Sequence, residues 1–313
     1  MGVTSQTQAL SLGEGSTPLV SAGRLSHETG YDLHVKLEGA NPTGSFKDRG
    51  MALAVSRAAE AGARAVVCAS TGNTAASAAA YAARAGLEAI VVTPAGATAT
   101  AKRAQAVAAG ARLVEIRGTF DDALRLVREL SARAGYVLVN SLNPDRVEGQ
   151  KSVVVEILAQ LGAVPDVIAL PFGGGGNVSA VVAALDDAGA STAVVVGESS
   201  VRATTWASAI RIAEPAHAAH VASLVAAGRV EVATLAEDEL RAAGASLASE
   251  EGAFCEPASA AGLAALLQLR AGDRQTAVCI LTGHGLKDAD SVDTAGAGVV
   301  VDATLDAILE VLA

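Results

Sequence analysis

The sequence predicts an α/β fold of two lobes, each a parallel sheet flanked by helices, with a cleft between them. Three observations carry this. Short apolar runs alternate with alanine-rich helical segments along most of the chain; several of those segments end on glycine; and the pattern restarts after Pro144. Parallel strands require crossover connections of about this length.

In chain order, Leu12–Leu19 (LGEGSTPL) is a turn rich in Gly, Ser and Pro, and Leu33–Leu37 alternates as a strand does. Strands follow at Ala65–Ala69, Ala89–Thr93, Arg112–Ile116 and Val137–Asn140. Between them stand helical segments Thr74–Arg84, Ala101–Ala109 and Asp121–Arg133, with glycines 86, 110 and 135 as their stops. The second half offers a helix from Val147 to Leu161, strand Val167–Leu170, helix Val178–Asp187 and strand Ala193–Val196. Helix Pro257–Leu269, strand Val278–Leu281 and helix Ala303–Leu312 complete it. Ser199–Arg229 reads as loops and short helices.

Composition narrows the function. Of 313 residues, 51% are hydrophobic and 18% charged, so a large core is available. A formal net charge of −10 argues against nucleic acid or an anionic membrane as partner. The N-terminal stretch lacks a basic region followed by an apolar one, so no secretory signal is expected, and Gln6 breaks the myristoylation pattern. No apolar run approaches the ~18 residues a membrane span needs. Cys68, Cys255 and Cys279 are odd in number and scattered, which fits a reduced, cytoplasmic protein. The histidines lack metal-ligand spacing, so no metal is expected.

Asn41–Gly50 (NPTGSFKDRG) is the stretch around which the rest is arranged. Pro42 and Gly44 mark a turn, and the apolar run Met51, Leu53, Ala54, Val55, Ala58 fits a helix that Gly62 ends. Lys47 thus lies near a helix N-terminus, behind Thr43 and Ser45 as natural capping residues. The helix dipole disfavours a cation there, which lowers the lysine pKa and frees the amine for a Schiff base with an aldehyde. Taken alone, the lysine reads better as an ordinary surface lysine opening a helix.

Four further stretches sit at strand ends. Gly173, Gly174, Gly175 and Gly176 with Asn177 follow an apolar strand and open a helix, as a phosphate cradle or a simple tight turn does. The dinucleotide glycine pattern fits poorly, because Val178 stands at its sixth position. Ser70–Thr74 (STGNT) suits a carboxylate, or is an N-capped helix. Ser141 and Arg146 lie at a strand end and helix start, where an arginine grips phosphate or forms a surface ion pair. Thr282 opens TGHGLKD and can hydrogen-bond a ring nitrogen without carrying charge; His284 reads better as a turn residue than a substrate contact.

Together these stretches resemble threonine synthase, in the tryptophan-synthase-β group of pyridoxal-phosphate enzymes of fold type II. The similarity runs from LGEGSTPL (12–19) to TGHGLKD (282–288). It includes NPTGSFKDRG (41–50), STGNTAASAAAYAARAG (70–86), NPDRVEGQK (143–151), AIRI (209–212) and EGAFCEPASAAGLAALL (251–267). The resemblance implies that residues 1–50 and 141–313 form a large cofactor-binding domain and 51–140 a small mobile one. It implies pyridoxal 5'-phosphate on Lys47, Asn73 at the 3-hydroxyl, Gly173–Asn177 on the phosphate and Thr282 at the ring nitrogen. Ser70, Thr71, Thr74, Ser141 and Arg146 become the substrate-binding residues. The implied reaction converts O-phospho-L-homoserine and water to L-threonine and phosphate, in a cytoplasmic homodimer.

Three departures bear on substrate. The family loop Gly-Asn-Ala-Gly-Asn is here glycine up to Asn177, closer to threonine and serine dehydratases. The chain from Gly197 to Ala209 is short, and AIRI continues as Ala213-Glu214-Pro215 rather than Gly-Asn-Pro. A specialised relative using another β- or γ-leaving group, a dehydratase, and a catalytically idle cofactor-binding protein therefore stand as alternatives. Against the dehydratase stands Thr282-Gly-His-Gly, where those enzymes carry serine or cysteine before Gly-Gly-Asn. Against the idle protein stands the presence of both Lys47 and Thr282.

Overall fold

Two five-residue runs, Ala65–Ala69 and Val167–Pro171, are buried at every position. A strand apolar on both faces belongs inside a parallel sheet covered by helices on both sides. The computed structural model places one run in each of two sheets, and describes residues 10–96, 100–133, 135–269, 275–292, 294 and 297–312.

The chain opens with β1 (Leu19–Ser21), α1 (Gly23–Thr29), β2 (Asp32–Leu37) and α2 (Lys47–Glu60). It then builds β3 (Ala65–Ala69), α3 (Asn73–Ala85), β4 (Glu88–Pro94), α4 (Thr100–Ala108), β5 (Arg112–Ile116), α5 (Phe120–Ser131) and β6 (Tyr136–Leu138). Next come α6 (Pro144–Gln150), α7 (Ser152–Leu161), β7 (Val167–Pro171), α8 (Gly176–Asp187), β8 (Ala193–Ser199), α9 (Ala218–Ala226), β9 (Val230–Leu235) and α10 (Glu237–Glu251). The last elements are α11 (Ala261–Leu269), β10 (Thr276–Leu281) and α12 (Leu305–Leu312), with short 3-10 turns at Glu38–Ala40, Ser208–Ile210, Pro257–Ala260 and Gly285–Ser291.

One sheet has four parallel strands in the order β5-β4-β3-β6; the other has six in the order β1-β2-β10-β7-β8-β9, parallel except for β1. Strand order reverses between β3 and β6 in the first sheet, and between β7 and β10 in the second. Open α/β sheets bind ligands at such switch points, beyond the carboxyl ends of the strands. Ser70, Ser141, Gly173 and Thr282 all follow those four strands.

The structure corrects several sequence expectations. The helix expected over Val147–Leu161 is two helices, α6 and α7, that meet at Lys151. Thr43 and Ser45 do not cap α2, whose N-cap is Phe46. Instead the Asp48 carboxylate accepts from the Thr43 amide at 2.7 Å and its hydroxyl at 2.6 Å, tightening the turn ahead of the lysine. Strand β9 and helix α10 carry no sequence assignment, although Val230 and Val232 on one face and Ala233 and Leu235 on the other have the two-residue spacing of a strand covered on both sides.

Helix α2 is held from two sides. Against α6 the approach is so close that a Cβ on Gly50 would lie 2.3 Å from the Arg146 carbonyl, and one on Gly149 would lie 2.5 Å from that of Arg49. Arg49 turns the other way, pairing with Glu38 at 2.6 Å and Glu156 at 2.7 Å. Lys36 reaches the second oxygen of Glu156 at 2.8 Å. These salt links hold Glu156 down to a pKa of about 2 against the opposing effect of its burial.

Removing one partner from a buried pair leaves the other charge uncompensated. Arg49→Met, which strands the fully buried Glu38, is expected to cost about 3–5 kcal/mol of stability, read from urea unfolding. A loss under about 1 kcal/mol would show that the network is solvated in solution.

Candidate active site

The site is assembled by a backbone seam between the stretch before α2 and the stretch after β10. Phe46 N–H donates to the Thr282 carbonyl at 3.0 Å, Ser45 bridges Gly283, and His284 N–H donates to the Gly44 carbonyl at 2.9 Å. This sets Lys47, the first residue of α2, beside Thr282, the residue after β10. Lys47 lies over the Phe46 ring, 4.3 Å from its centre. Burial first, and then the positive charge of Arg146, bring its pKa down to about 7 against the opposing pull of Glu256. At neutral pH a large share of Lys47 is the free amine, the form a carbonyl carbon reacts with.

Glycine 173 to 176 follows β7 and opens α8. Gly175 has φ of +86° and would put a Cβ 2.8 Å from that of His217, so glycine is required there. Gly173 is bounded by Ile210, whose side chain would be 3.1 Å from an added Cβ. The AIRI stretch thus lies against the glycine loop. A side chain on Gly174 would point between Ile212 and Ser141, 3.6 and 4.0 Å away.

Three buried polar atoms around this space have no hydrogen-bond partner among the described residues: Ser45 Oγ, Asn73 Oδ1 and Asn177 Nδ2. Buried polar groups left open in this way mark a ligand's place. They border the amine of Lys47 and a glycine cradle at a helix N-terminus, which favours an anion. The donor set fits a phosphorylated aldehyde with a polar ring substituent, the description of pyridoxal phosphate. Thr282 is buried, and its hydroxyl lies 3.1 Å from that of Ser259. The group it brings to this space is a neutral hydroxyl.

Of the expected substrate residues, Ser70, Thr71 and Thr74 stand together at the start of α3. Ser70 Oγ accepts from the amides of Gly72 at 3.1 Å and Ala75 at 3.2 Å, which leaves its own proton to donate. Ser141 is half-buried, and its carbonyl is held by His217 Nε2 at 2.9 Å. Arg146 is fully buried rather than part of a surface ion pair. Its Nη1 donates to the Val139 carbonyl at 2.8 Å, its Nε has no partner among the described residues, and burial lowers its pKa to about 10. His284 is a turn residue, its Nδ1 accepting from the Leu286 amide at 3.1 Å.

Two residues escaped the sequence reading. Glu256, 1% exposed, accepts from Asn73 Nδ2 at 2.5 Å, and Lys102, 2% exposed, pairs with its other oxygen at 2.6 Å. Glu256 had a signal, since it precedes Pro257 within EGAFCEPASAAGLAALL. Lys102 had none, because one lysine in an alanine-rich helix looks like surface.

In the cofactor-free protein Lys47 should react with an aldehyde, trapped by borohydride, along a pH profile with its midpoint at about 7. Arg146→Met removes a nearby positive charge and should move that midpoint upward. A midpoint for the parent near the ordinary lysine value of ~10.4 would contradict the burial argument.

Comparison with known proteins agrees with this geometry. The family model described as pyridoxal-phosphate dependent enzyme matches residues 10–283. Threonine synthase of Halalkalibacterium halodurans is 45% identical over 91% of this chain and 86% of its own length. That of Synechocystis is 45% identical over 99% of this chain and 87% of its own. That of Mycobacterium leprae is 46% identical over 89% and 83%. Among solved structures, O-ureido-L-serine synthase superposes with a TM-score of 0.76 at 25% identity, covering 95% of this chain and 97% of that one. A threonine deaminase gives 0.72 at 26%, covering 85% and 92%. With a buried lysine whose pKa is brought down to about 7, a glycine cradle and three open polar atoms around one space, this chain belongs to the pyridoxal-phosphate-dependent enzymes of fold type II.

Proposed function

We propose that the chain is a threonine synthase, a lyase of amino-acid biosynthesis converting O-phospho-L-homoserine and water to L-threonine and phosphate. The observation that carries the reading is the likeness, at 45% identity, to named threonine synthases over nearly the whole chain, joined to a buried Lys47 with its pKa brought down to about 7.

Lys47, Asn73, the glycine 173–176 loop, Asn177 and Thr282 would hold the cofactor. When bound, pyridoxal phosphate supplies an electron sink for the carbon atoms that lose protons. The chain supplies the rest. Lys47 takes the proton from Cα, gives it up so that its amine is neutral again, and then takes one from Cβ, a task suited to a group whose pKa is close to the working pH. Ser70, Thr71 and Thr74 orient the substrate carboxylate at the start of α3. Ser141 and Arg146 stabilise the phosphate as the bond between Cγ and oxygen breaks and it departs with the electron pair. Water then adds its oxygen to Cβ, and Lys47 returns protons to the carbon skeleton. Thr282 leaves the ring nitrogen uncharged, which suits repeated proton transfer at more than one carbon.

The reading includes a mobile unit at residues 51–140, which packs around its own sheet, and a cytoplasmic homodimer. Sedimentation of the holoenzyme tests the dimer. Among the described residues no helix is long and apolar enough to cross a membrane.

Phosphate release from O-phosphohomoserine, with the amino-acid product identified by mass, is the deciding assay. Phosphate with threonine is expected; phosphate with 2-oxobutyrate would show that water addition is absent; no phosphate from cofactor-loaded protein would overturn the substrate. Lys47→Ala should abolish turnover. Arg146→Ala should raise KM for the phosphorylated substrate at least about tenfold more than for an unphosphorylated analogue, as loss of a charged hydrogen bond implies. Equal effects on the two would remove Arg146 from phosphate binding.

A further inference from the structure

Lys102 lies on α4, within the lobe of the four-stranded sheet, yet among the described residues the polar groups its ammonium touches belong to the other lobe. Glu256 Oε1 is 2.6 Å away, Ser208 Oγ 3.3 Å and Asp288 Oδ2 3.4 Å. One turn further along the same face, Gln105 donates to the Thr43 carbonyl at 3.3 Å and accepts from Lys287 at 2.5 Å. Residues three apart on a helix are neighbours, so a single face of α4 is seated across the cleft.

Glu256 links this seat to the cofactor pocket. Its Oε2 accepts from Asn73 Nδ2, which leaves Oδ1 as the open end of that amide. The space it occupies is kept by Gly283, where an added Cβ would overlap the same oxygen. While Lys102 holds Glu256, the Asn73 amide presents an acceptor to whatever lies in the pocket. If Lys102 withdraws, the Glu256 carboxylate loses the cation that holds its other oxygen and is free to turn toward another donor, and the Asn73 amide then loses the acceptor that keeps its nitrogen turned away from the pocket. Opening the pair while Glu256 stays buried leaves an uncompensated charge, so the seat imposes one geometry for as long as Glu256 is buried.

We propose that Lys102 is a positioning residue: seating α4 on Glu256 and Asp288 fixes the Asn73 amide with its oxygen toward the cofactor. The kinetic part of this inference rests on the proposed reaction, whereas the cofactor part does not. Neither Lys102 nor Glu256 touches the reacting atoms in this assignment; both act through Asn73.

The test compares the parent with Lys102→Met in two measurements: the dissociation constant for pyridoxal phosphate by equilibrium dialysis, and kcat and KM on O-phosphohomoserine. The expected result is a dissociation constant raised by more than about threefold, with kcat falling by more than KM rises, since small misplacement in a site costs up to about a hundredfold in rate. Both must move. If either stays within threefold of the parent while only thermal stability falls, Lys102 is a structural ion pair and the proposal is overturned. Should Lys102→Met fail to fold, Lys102→Gln keeps a donor for Glu256 without the charge and is judged by the same two measurements. A parent protein that binds cofactor but releases no phosphate sinks the proposed substrate instead; the dissociation constants, with kcat and KM on whichever substrate it does turn over, then decide the role of Lys102.

Discussion

A short backbone seam does the most to define this molecule. Gly44, Ser45 and Phe46 pair with Thr282, Gly283 and His284, so that the segment leading into α2 is stitched to the segment leaving β10. The two are far apart in sequence and carry Lys47 and Thr282, the residues proposed to hold the cofactor from opposite ends. Main-chain hydrogen bonds do not depend on side-chain identity, and they position Lys47 more firmly than any single side-chain contact could. The buried charges around Arg49 serve the same end, since they lock the helix that begins at the lysine.

Much of the fold was legible because the apolar runs are short, separated by helical segments and closed by glycine. Ala65–Ala69 and Arg112–Ile116 have the bounds that periodicity alone suggests. The failures have local causes. Val147–Leu161 carries an unbroken helical pattern, and nothing in it announces the break at Lys151. Thr43 and Ser45 are good capping residues, but the Asp48 carboxylate competes for Thr43 and wins, being charged and two bonds strong.

The site was legible wherever chemistry is concentrated in one stretch of chain. Lys47, the glycine loop and Thr282 each follow a turn or a strand in a way that can be read locally. Glu256 and Lys102 could not be found so, because their meaning lies in a contact between residues far apart in the chain. Arg146 was placed as a functional cation, but its depth was not visible: an arginine after Asn-Pro-Asp looks exposed, and only the crossing of α2 and α6 buries it.

That crossing has a wider consequence. Gly50 and Gly149 each face a carbonyl of the opposite helix, and no rearrangement of side chains could make room for even one methyl group. The gap between the helices also sets how near the guanidinium of Arg146 comes to the amine of Lys47. The proton affinity of the reactive nitrogen is thereby tied to two absent side chains on the far side of the helix pair. Evolution of this enzyme toward other substrates has room at a loop position such as Gly174, where an added side chain meets nothing closer than 3.6 Å, while Gly50 and Gly149 stay closed to change.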